Sequence, residues 1–453
     1  MLSYPVRIAL IAALGGFLFG FETVVISGAE QTLEKVWHLS KWWQGFTVSS
    51  SLFGTIIGSL VAGFPAQWYG RKKTLQIVSI FFIVAAVGCA SVSAWSLFIF
   101  FRIIGGLAVG ASSVIAPMYI SEIAPAELRG RLAGSFQLNI VAGIFIAYLT
   151  NFGFSGLGPD AWRWMLGVMT IPAVLFAVLL FRIPESPRWL ILNNNEAAAR
   201  PVLARLGEAN VESAIGVIRA SVKEHEGASA RESLFQRRYL KPILYAVLLA
   251  MFNQFSGINA ILYYAPRIFQ MAGFDQGDAY LQPVYIGAAN LLFTLIAMTV
   301  IDKFGRKKLL IIGSLGMILF LGLTALFFRN VDLSGAVTAQ ASGGNKFVLL
   351  YLIGFIAFFA FSQGAVIWVF ISEIFPNSVR SQGGSLGSFT HWIMAAIIST
   401  TFPVIVEGSR LGGYYSFLFY TVMMVAHLLF VWLFLPETKG RTLEEIQKEL
   451  GIK

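Results

Sequence analysis

Long apolar runs, separated by shorter polar segments, follow one another along the whole chain. Twelve of them are long enough for an α-helix to cross a bilayer, which takes roughly 20 residues. They lie near residues 6–28, 45–66, 74–94, 97–120, 132–153, 163–183, 241–269, 283–301, 309–328, 347–371, 383–406 and 413–435. Lipid offers no partner to open strand edges, and the runs lack the alternation of a membrane barrel, so we predict twelve transmembrane helices.

The longest polar segment lies between the sixth and seventh runs. It mixes Ala, Leu, Glu and Arg, which favours short amphipathic helices, with a solvated linker as the alternative. We predict an N-terminal six-helix bundle at 1–183, a cytoplasmic helical linker at 184–240, a C-terminal six-helix bundle at 241–435 and a cytoplasmic tail at 436–453.

Composition and charge placement agree with a membrane protein. The chain is 57% hydrophobic and 12% charged, whereas a soluble domain carries about 25% charged residues. If the N-terminus is cytoplasmic, 25 of the 33 Lys and Arg residues fall in inner segments and seven in outer ones. This bias predicts that both termini are cytoplasmic. It also accounts for the net charge of +10 without a nucleic acid partner.

Three motifs recur at corresponding places in the two halves. YGRKKTLQI follows the second run and FGRKKLLII the eighth, while ISEIAPAELRGRLAGS follows the fourth and ISEIFPNSVRSQGGS the tenth. IPESPRWL after the sixth run has an echo in LPETKGRTL after the twelfth. Parallel repeats with a site at their interface are a transporter architecture.

Glu22 is a carboxylate well inside the first apolar run, where a charge costs about 2.5–3.5 kcal/mol on insertion scales. Such groups face a partner or a water-filled path. Arg102, well inside the fourth run, is the candidate partner. At 1.5 Å per residue both lie roughly 8–9 Å below the predicted outer surface, so they can meet. A permanent ion pair and a pair that exchanges a proton both remain open.

No pattern in the chain is typical of an enzyme. It has no phosphate-binding loop, metal-ligand cluster or nucleophile–base pair, and RIIGGLAVG lacks the preceding strand of a dinucleotide-binding loop. We expect no catalytic residues, no cofactor and no metal.

Several motifs occur in a characteristic order: GRKK twice, RIIGGLAVG, SEIAPAELRGRL, PESPRWL, NQFSGINAILYY, SEIFPNSVRS and PETKGRTLEE. Along essentially its whole length the sequence resembles the sugar porter family of the major facilitator superfamily. The resemblance implies an all-α membrane fold of two six-helix bundles that expose a central sugar site to each side in turn. In similar sugar porters an acid at the position of Glu22 accompanies proton coupling, and passive carriers have an amide there.

The resemblance also implies a set of sugar-contacting residues. Sugar hydroxyls need uncharged donors and acceptors, and aromatic rings cover the apolar face of a sugar. The matching positions are Gln137, Gln254, Asn259, Asn290, Trp368 and Trp392, with Asn253 where many relatives have Gln and Phe19 as a further lining residue. For each of them an ordinary packing role is the alternative. His391 could contact sugar, but a structural histidine is the favoured interpretation.

Two gates are implied in the same way. Tyr263 and Tyr264 match the outer-gate tyrosines of the family. The cytoplasmic gate network is expected to contain Arg71, Glu122, Arg129, Arg131, Glu185, Arg188, Arg306, Glu373, Arg380 and Glu437. For the basic residues the alternative is positive-inside anchoring.

The favoured function is import of a monosaccharide, a hexose or a pentose, together with a proton. The alternatives are a passive monosaccharide uniporter and a transporter-like sugar sensor. The expected partners are the monosaccharide, the proton and the lipid bilayer, with no nucleic acid, and a monomer is expected to function. The expected location is a cell membrane, as in the inner membrane of a bacterium.

Overall fold

Helices account for the N-terminal half of the chain. The computed structural model describes residues 3–125, 127–208, 210–229, 232–330, 345–376, 378–441 and 443–452. The helices of this half are α1 (Tyr4–Val36), α2 (Lys41–Val61), α3 (Gly63–Trp68), α4 (Arg71–Ser91), α5 (Trp95–Ile123), α6 (Arg129–Phe154), α7 (Ala161–Gly167), α8 (Thr170–Leu180), α9 (Pro187–Leu192), α10 (Glu196–Leu206) and α11 (Val211–Ser229).

The C-terminal half has the same character. A 3-10 helix at Arg237–Tyr239 precedes α12 (Leu240–Phe255), α13 (Ile258–Tyr263), α14 (Ala265–Met271), α15 (Gln276–Phe304), α16 (Arg306–Arg329), α17 (Asn345–Phe361), α18 (Gln363–Ile374), α19 (Arg380–Gly408), α20 (Gly412–Phe434) and α21 (Leu443–Glu449). No strand occurs within the described ranges. Twelve helical stretches among the described residues are long and apolar enough to cross a membrane, which confirms the predicted fold class.

The seventh apolar run forms three helices rather than one. Gly257 separates α12 from α13 with a φ of +81°, a backbone region that glycine adopts without strain. A Cβ atom there would also lie 2.4 Å from the ring of Tyr420. The chain bends again at Tyr264, after which Pro266 lies in the first turn of α14. These bends place short polar segments inside a largely apolar run.

Short helices connect the two halves, as predicted for residues 184–240. The Ser186 hydroxyl accepts a hydrogen bond from the backbone N–H of Trp189 and caps α9. α9, α10 and α11 bury one small apolar cluster, made of Leu190, Ile191, Ala199, Leu203 and Ile215. The segment is therefore a packed helical insert and not a solvated linker. The exact domain boundaries remain predictions.

Contacts divide the chain into two compact units. The first unit contains Met1–Thr23, Phe53–Ile144 and Leu166–Glu232. The second unit contains Val24–Leu52, Phe145–Met165 and Ser233–Lys453. The boundaries fall inside α1, α2, α6 and α7. The first unit therefore contains one end of each of these helices, and the second unit contains the other end. Inner and outer ends of helices are named by the sides that the charge bias predicts.

The outer ends of α1 and α2 pack within the second unit. The hydroxyl of Ser49 on α2 and that of Thr400 on α19 are 2.7 Å apart. The Tyr148 hydroxyl donates to the Leu262 carbonyl at 2.7 Å, and the Tyr280 hydroxyl donates to the Gly28 carbonyl at 2.8 Å. The second unit therefore contains outer segments from both halves of the sequence.

Candidate functional site

Glu22 on α1 and Arg102 on α5 form an ion pair inside the first unit. The Arg102 guanidinium donates through Nη1 to Oε1 of Glu22. Glu22 is 4% exposed and Arg102 1% exposed, so the pair is shielded from solvent. Gly105, one turn along α5, leaves room for the carboxylate, because a Cβ atom there would lie 2.8 Å from Glu22 Oε1. The structure thus brings together the two charges that the sequence suggested could meet.

Three amides near the break in the seventh run form a connected group in the second unit. The Gln254 Nε2 atom donates to Asn253 Oδ1 at 2.9 Å, and the Asn259 Nδ2 atom donates to Gln254 Oε1 at 2.9 Å. All three side chains are buried. Gly257 lies between Gln254 and Asn259, and the turn there lets side chains five residues apart bond directly.

An aromatic wall adjoins this amide group. The Gln254 amide lies 3.2 Å from His391 Nε2. The His391 ring is 4.9 Å from the Trp368 ring and 4.9 Å from the Trp392 ring. Trp392 is buried, whereas 38% of Trp368 is exposed. His391 is therefore in contact with the predicted site, a position that sequence reasoning left undecided.

The remaining predicted sugar contacts are more dispersed. Asn290 is buried on α15, and no hydrogen bond joins its side chain to the amide group among the described residues. Gln137 on α6 and Phe19 on α1 belong to the first unit, and both are half-buried. Their part in a sugar site stays a prediction.

The two predicted outer-gate tyrosines are both buried in the second unit. The Tyr264 hydroxyl donates to the Ser399 carbonyl on α19 at 2.8 Å. Its ring also packs against Phe402, with centroids 5.1 Å apart. Tyr264 therefore ties the bend between α13 and α14 to α19, although its role as a gate stays a prediction.

The three repeated motifs of the N-terminal half meet in one structure, which we call the first inner clamp (Arg71, Glu122 and Glu185). Arg71 donates to Glu122 through Nε at 2.9 Å and through Nη2 at 2.8 Å. Glu185 accepts from the backbone N–H groups of Arg71 at 2.9 Å and Lys72 at 3.1 Å, so it caps the start of α4.

The C-terminal half repeats this structure as the second inner clamp (Arg306, Glu373 and Glu437). Arg306 Nη2 donates to Glu373 at 3.0 Å. Glu437 accepts from the backbone N–H groups of Arg306 at 2.8 Å and Lys307 at 3.1 Å, and so caps α16. The Thr438 hydroxyl donates to the other oxygen of Glu373 at 2.6 Å. The internal repeat is therefore a repeat of contacts as well as of letters.

Arg131, Arg188 and Arg380 of the predicted gate network take no part in these clamps within the described residues. Arg131 is exposed and Arg188 is half-buried, and neither has an ion pair in the described part of the chain. Arg380 donates to the carbonyl of Phe375 at 3.4 Å. The side chain of Arg129 lies outside the described residues.

Sequence reasoning missed a cluster of charges at the outer side of the second unit. Arg267 on α14 bonds Glu30 and Glu34 on α1 and Glu407 on α19. Lys41, at the start of α2, also bonds Glu34 and Glu407. Counting Arg267 only as an outer charge concealed its pairing, because Glu30 and Glu407 lie 237 and 140 positions away from it in the sequence.

The comparison with known families decides the identity of this architecture. A family model described as "Sugar (and other) transporter" matches residues 8–450. The chain belongs to this family. The matched range contains both inner clamps, the amide group and the Glu22–Arg102 pair, and the match confirms the predicted resemblance to the sugar porters.

Individual relatives agree with the family model over nearly the full length of the transporter. A glucose transport protein of Synechocystis sp. is 38% identical over 457 residues, covering 98% of this chain and 97% of that protein. The D-xylose-proton symporter of Escherichia coli (strain K12) is 37% identical over 486 residues, covering 98% of this chain and 95% of that protein. The solved inward open conformation of the xylose transporter XylE from E. coli has a TM-score of 0.84 at 35% identity, covering 98% of this chain and 100% of that chain.

These similarities establish the general activity. The protein is a multi-pass cell membrane protein with the major facilitator fold, and it transports sugar. Its family is one of transporters and not of enzymes.

Proposed function

We propose that the transporter imports a monosaccharide together with a proton. The observation that carries this proposal is the buried Glu22–Arg102 ion pair, a titratable link between α1 and α5 in the first unit. A charge at this depth is costly, and ionisable groups inside a membrane helix mark ion or proton paths. A carrier that only equilibrates sugar has no need of such a group.

The proton acts by weakening one link. While Glu22 is ionised, its attraction to Arg102 holds α1 against α5. The attraction is strong because little solvent is present to screen the pair. Protonation from the outside removes the negative charge and with it most of that attraction. Only a ligand that interacts differently with two conformations can shift their equilibrium. A proton on Glu22 meets this condition if the ion pair is intact in only one of them.

The amide group and the exposed Trp368 ring are the proposed sugar-binding surface. Gln254, Asn259 and Asn253 supply uncharged donors and acceptors, which suit hydroxyl groups. The exposed part of the Trp368 indole suits the apolar C–H side of a pyranose or furanose ring. His391 contacts both Gln254 and Trp368, so we include it among the residues that shape this surface. We also propose four further sugar contacts, namely Gln137, Asn290, Trp392 and Phe19.

The inner clamps and the gate tyrosines are proposed to set the balance between conformations. Each clamp holds two carboxylates close to one arginine at the predicted cytoplasmic side. A charge network that is present in one state and absent from the other biases a two-state equilibrium.

Uptake by proteoliposomes with and without an inward proton gradient tests the coupling. The wild-type protein is expected to concentrate sugar only when the gradient is present. Glu22→Gln is expected to abolish this concentrative uptake, because the amide cannot exchange a proton, and to retain sugar exchange between equal concentrations. Concentrative uptake that survives in Glu22→Gln would contradict the proposal. Wild-type uptake that ignores the gradient would identify a passive uniporter.

Competition identifies the sugar. Uptake of labelled glucose is measured with xylose, galactose, fructose or arabinose in excess. At least one of these monosaccharides is expected to compete, and a panel in which none competes and glucose itself is not taken up would contradict a hexose or pentose substrate.

A further inference from the structure

Arg267 is the centre of a buried charge cluster that the proposed sugar and proton sites do not use. Its Nε and Nη2 atoms donate to the two oxygens of Glu30, both at 3.0 Å. Its Nη2 atom also lies 2.7 Å from Glu34, and its Nη1 atom donates to Glu407. Arg267 is 8% exposed and Glu30 is 1% exposed. This two-pronged geometry is the strongest form of an arginine–carboxylate contact.

Two residues of α2 extend the cluster. Lys41 Nζ lies 2.6 Å from Glu407 and also bonds Glu34. The Gln44 amide donates to Glu30. Three carboxylates therefore surround two cations, and the deepest of them, Glu30, has the most complete set of donors.

The cluster joins segments that are far apart in the sequence. Arg267 and Glu30 are separated by 237 positions. α1 and α2 come from the N-terminal half, while α14 and α19 come from the C-terminal half, and all of these segments pack within the second unit. A local pair such as Arg163 with Asp160, three residues apart, can hold no two helices together.

Packing beside the cluster is equally close. Ser49 bonds Thr400 between α2 and α19. At Gly45 a Cβ atom would lie 2.0 Å from the Thr400 carbonyl oxygen, so only glycine allows this approach. The charges thus lie over a tight helix contact and not over a loose surface.

We propose that Arg267, Glu30, Glu34, Lys41 and Glu407 form an outer lock, which holds the outer ends of helices from the two halves together and opens when the transporter exposes its site to the outside. Opening must separate Arg267 from the carboxylates of α1. Removing one partner of a buried ion pair leaves an uncompensated charge and weakens the closed arrangement strongly. The lock therefore sets how often the outer side opens.

The inference rests on alternating exposure of the site, as in the proposed function, but not on proton coupling. A chemical measure of outer opening needs neither sugar nor a proton gradient. Its result is therefore independent of whether Glu22 couples transport to protons.

Labelling of a buried cysteine from the outside tests the lock. Cys89, the single cysteine of the chain, is replaced by Ala, and Ser49→Cys, at a fully buried position beside Thr400, is the reporter. A membrane-impermeant thiol reagent is added to intact cells. In this background Arg267→Gln is expected to raise the labelling rate at least tenfold, which corresponds to about 1.4 kcal/mol. Lys41→Gln, at the rim, is expected to raise it less.

Arg329→Gln is the matched control. Arg329 is an exposed arginine at the predicted outer end of α16 with no ion pair among the described residues, so its loss is expected to change the rate less than twofold. An unchanged rate in Arg267→Gln would overturn the proposal. If Arg267→Gln cannot be isolated, Glu407→Gln replaces it, with an expected increase of about threefold, because Arg267 and Lys41 each lose one carboxylate partner. No increase there would overturn the proposal equally.

Native Cys89 distinguishes opening from unfolding. It is buried in the first unit, whereas the lock residues Arg267, Glu30 and Glu407 belong to the second. In a protein that keeps Cys89 and lacks the reporter, Arg267→Gln is expected to leave the labelling of Cys89 unchanged. A rise at Cys89 equal to the rise at position 49 would mean general unfolding and would contradict the lock.

Discussion

At the scale of single residues, α1 carries two buried carboxylates with different surroundings. Glu22 bonds Arg102 within the first unit, so its protonation acts on one link between α1 and α5. Glu30 accepts from Arg267 and Gln44 within the second unit, and Arg267 bonds two further carboxylates. Protonation of Glu22 alone can therefore break the first arrangement. The second is held by several ion pairs, so the loss of one of them leaves the others in place.

Among the proposed sugar contacts, we expect the substitution of Gln254 to reduce sugar uptake most. It bonds Asn253 and Asn259 and also contacts His391, so Gln254→Ala removes a sugar partner and the group that orients the others. We expect uptake efficiency to fall by about 10–100-fold, the range for losing one or two hydrogen bonds in a buried site.

Initial uptake rates over a range of sugar concentrations measure this fall. Gln282→Ala is the control, since Gln282 is also buried in the second unit but has no bond to the amide group in the described structure. Equal losses in the two variants would show that burial, and not sugar contact, explains the effect.

At this scale the sequence predicted some contacts and missed others. The pairing of Glu22 with Arg102 was foreseen because both are costly in a membrane and lie at matching depths. The neighbourhood of Gln254 and Asn259 followed from one short segment. His391 was not assigned to the sugar site, because the sequence alone does not distinguish a histidine that packs in the core from one that contacts a ligand.

At the scale of elements, the inner clamps explain why two helices begin where they do. α4 and α16 each start directly after a glycine with φ near +90°, at Gly70 and Gly305. The first N–H groups of such a helix lack partners within it. Glu185 and Glu437 supply those partners from a segment that follows the sixth apolar run of the same half. A carboxylate also complements the positive end of the helix dipole.

Glu437→Gln is expected to destabilise the protein by about 1 kcal/mol, because an amide has one acceptor oxygen for two N–H groups and lacks the charge. The midpoint of thermal unfolding in detergent measures this change. Glu208→Gln, which removes an exposed carboxylate beyond the end of α10, is the control and should leave the midpoint unchanged. A midpoint that Glu437→Gln does not lower would contradict the capping role.

Elements were predicted well where hydropathy alone defines them. The twelve spans follow from length and apolar content, and the helical insert from its amphipathic composition. The breaks at Gly257 and Tyr264 were not predicted, because a run of apolar residues has the same hydropathy whether it is straight or bent.

At the scale of the whole molecule, the repeat and the charge bias organise the chain. In each half, three short motifs contribute the residues of one inner clamp. The sequence showed that the motifs recur, but it did not show which of their residues are in contact. The outer lock was beyond sequence reasoning, because the bonds of Arg267 to Glu30 and Glu34 span more than two hundred positions and no local pattern marks them.

The orientation of the molecule is a prediction that one fusion experiment checks. Twenty-five of the 33 Lys and Arg residues lie in segments that place both termini in the cytoplasm. A green fluorescent protein fused to the C-terminus in a bacterial host is expected to be fluorescent, and alkaline phosphatase fused there is expected to be inactive. Active phosphatase would contradict the predicted orientation.

The glycines of the inner clamps have a consequence for how such a sequence can change over time. At Gly70 and Gly305 any other residue meets two obstacles, an unfavourable φ and a carboxylate oxygen 2.3 Å or 2.7 Å from its Cβ atom. Neither obstacle involves the sugar or the proton. A descendant of this protein that transported a different substrate would still need glycine at both positions. The motif therefore indicates common ancestry of the fold and gives no information about the transported substrate.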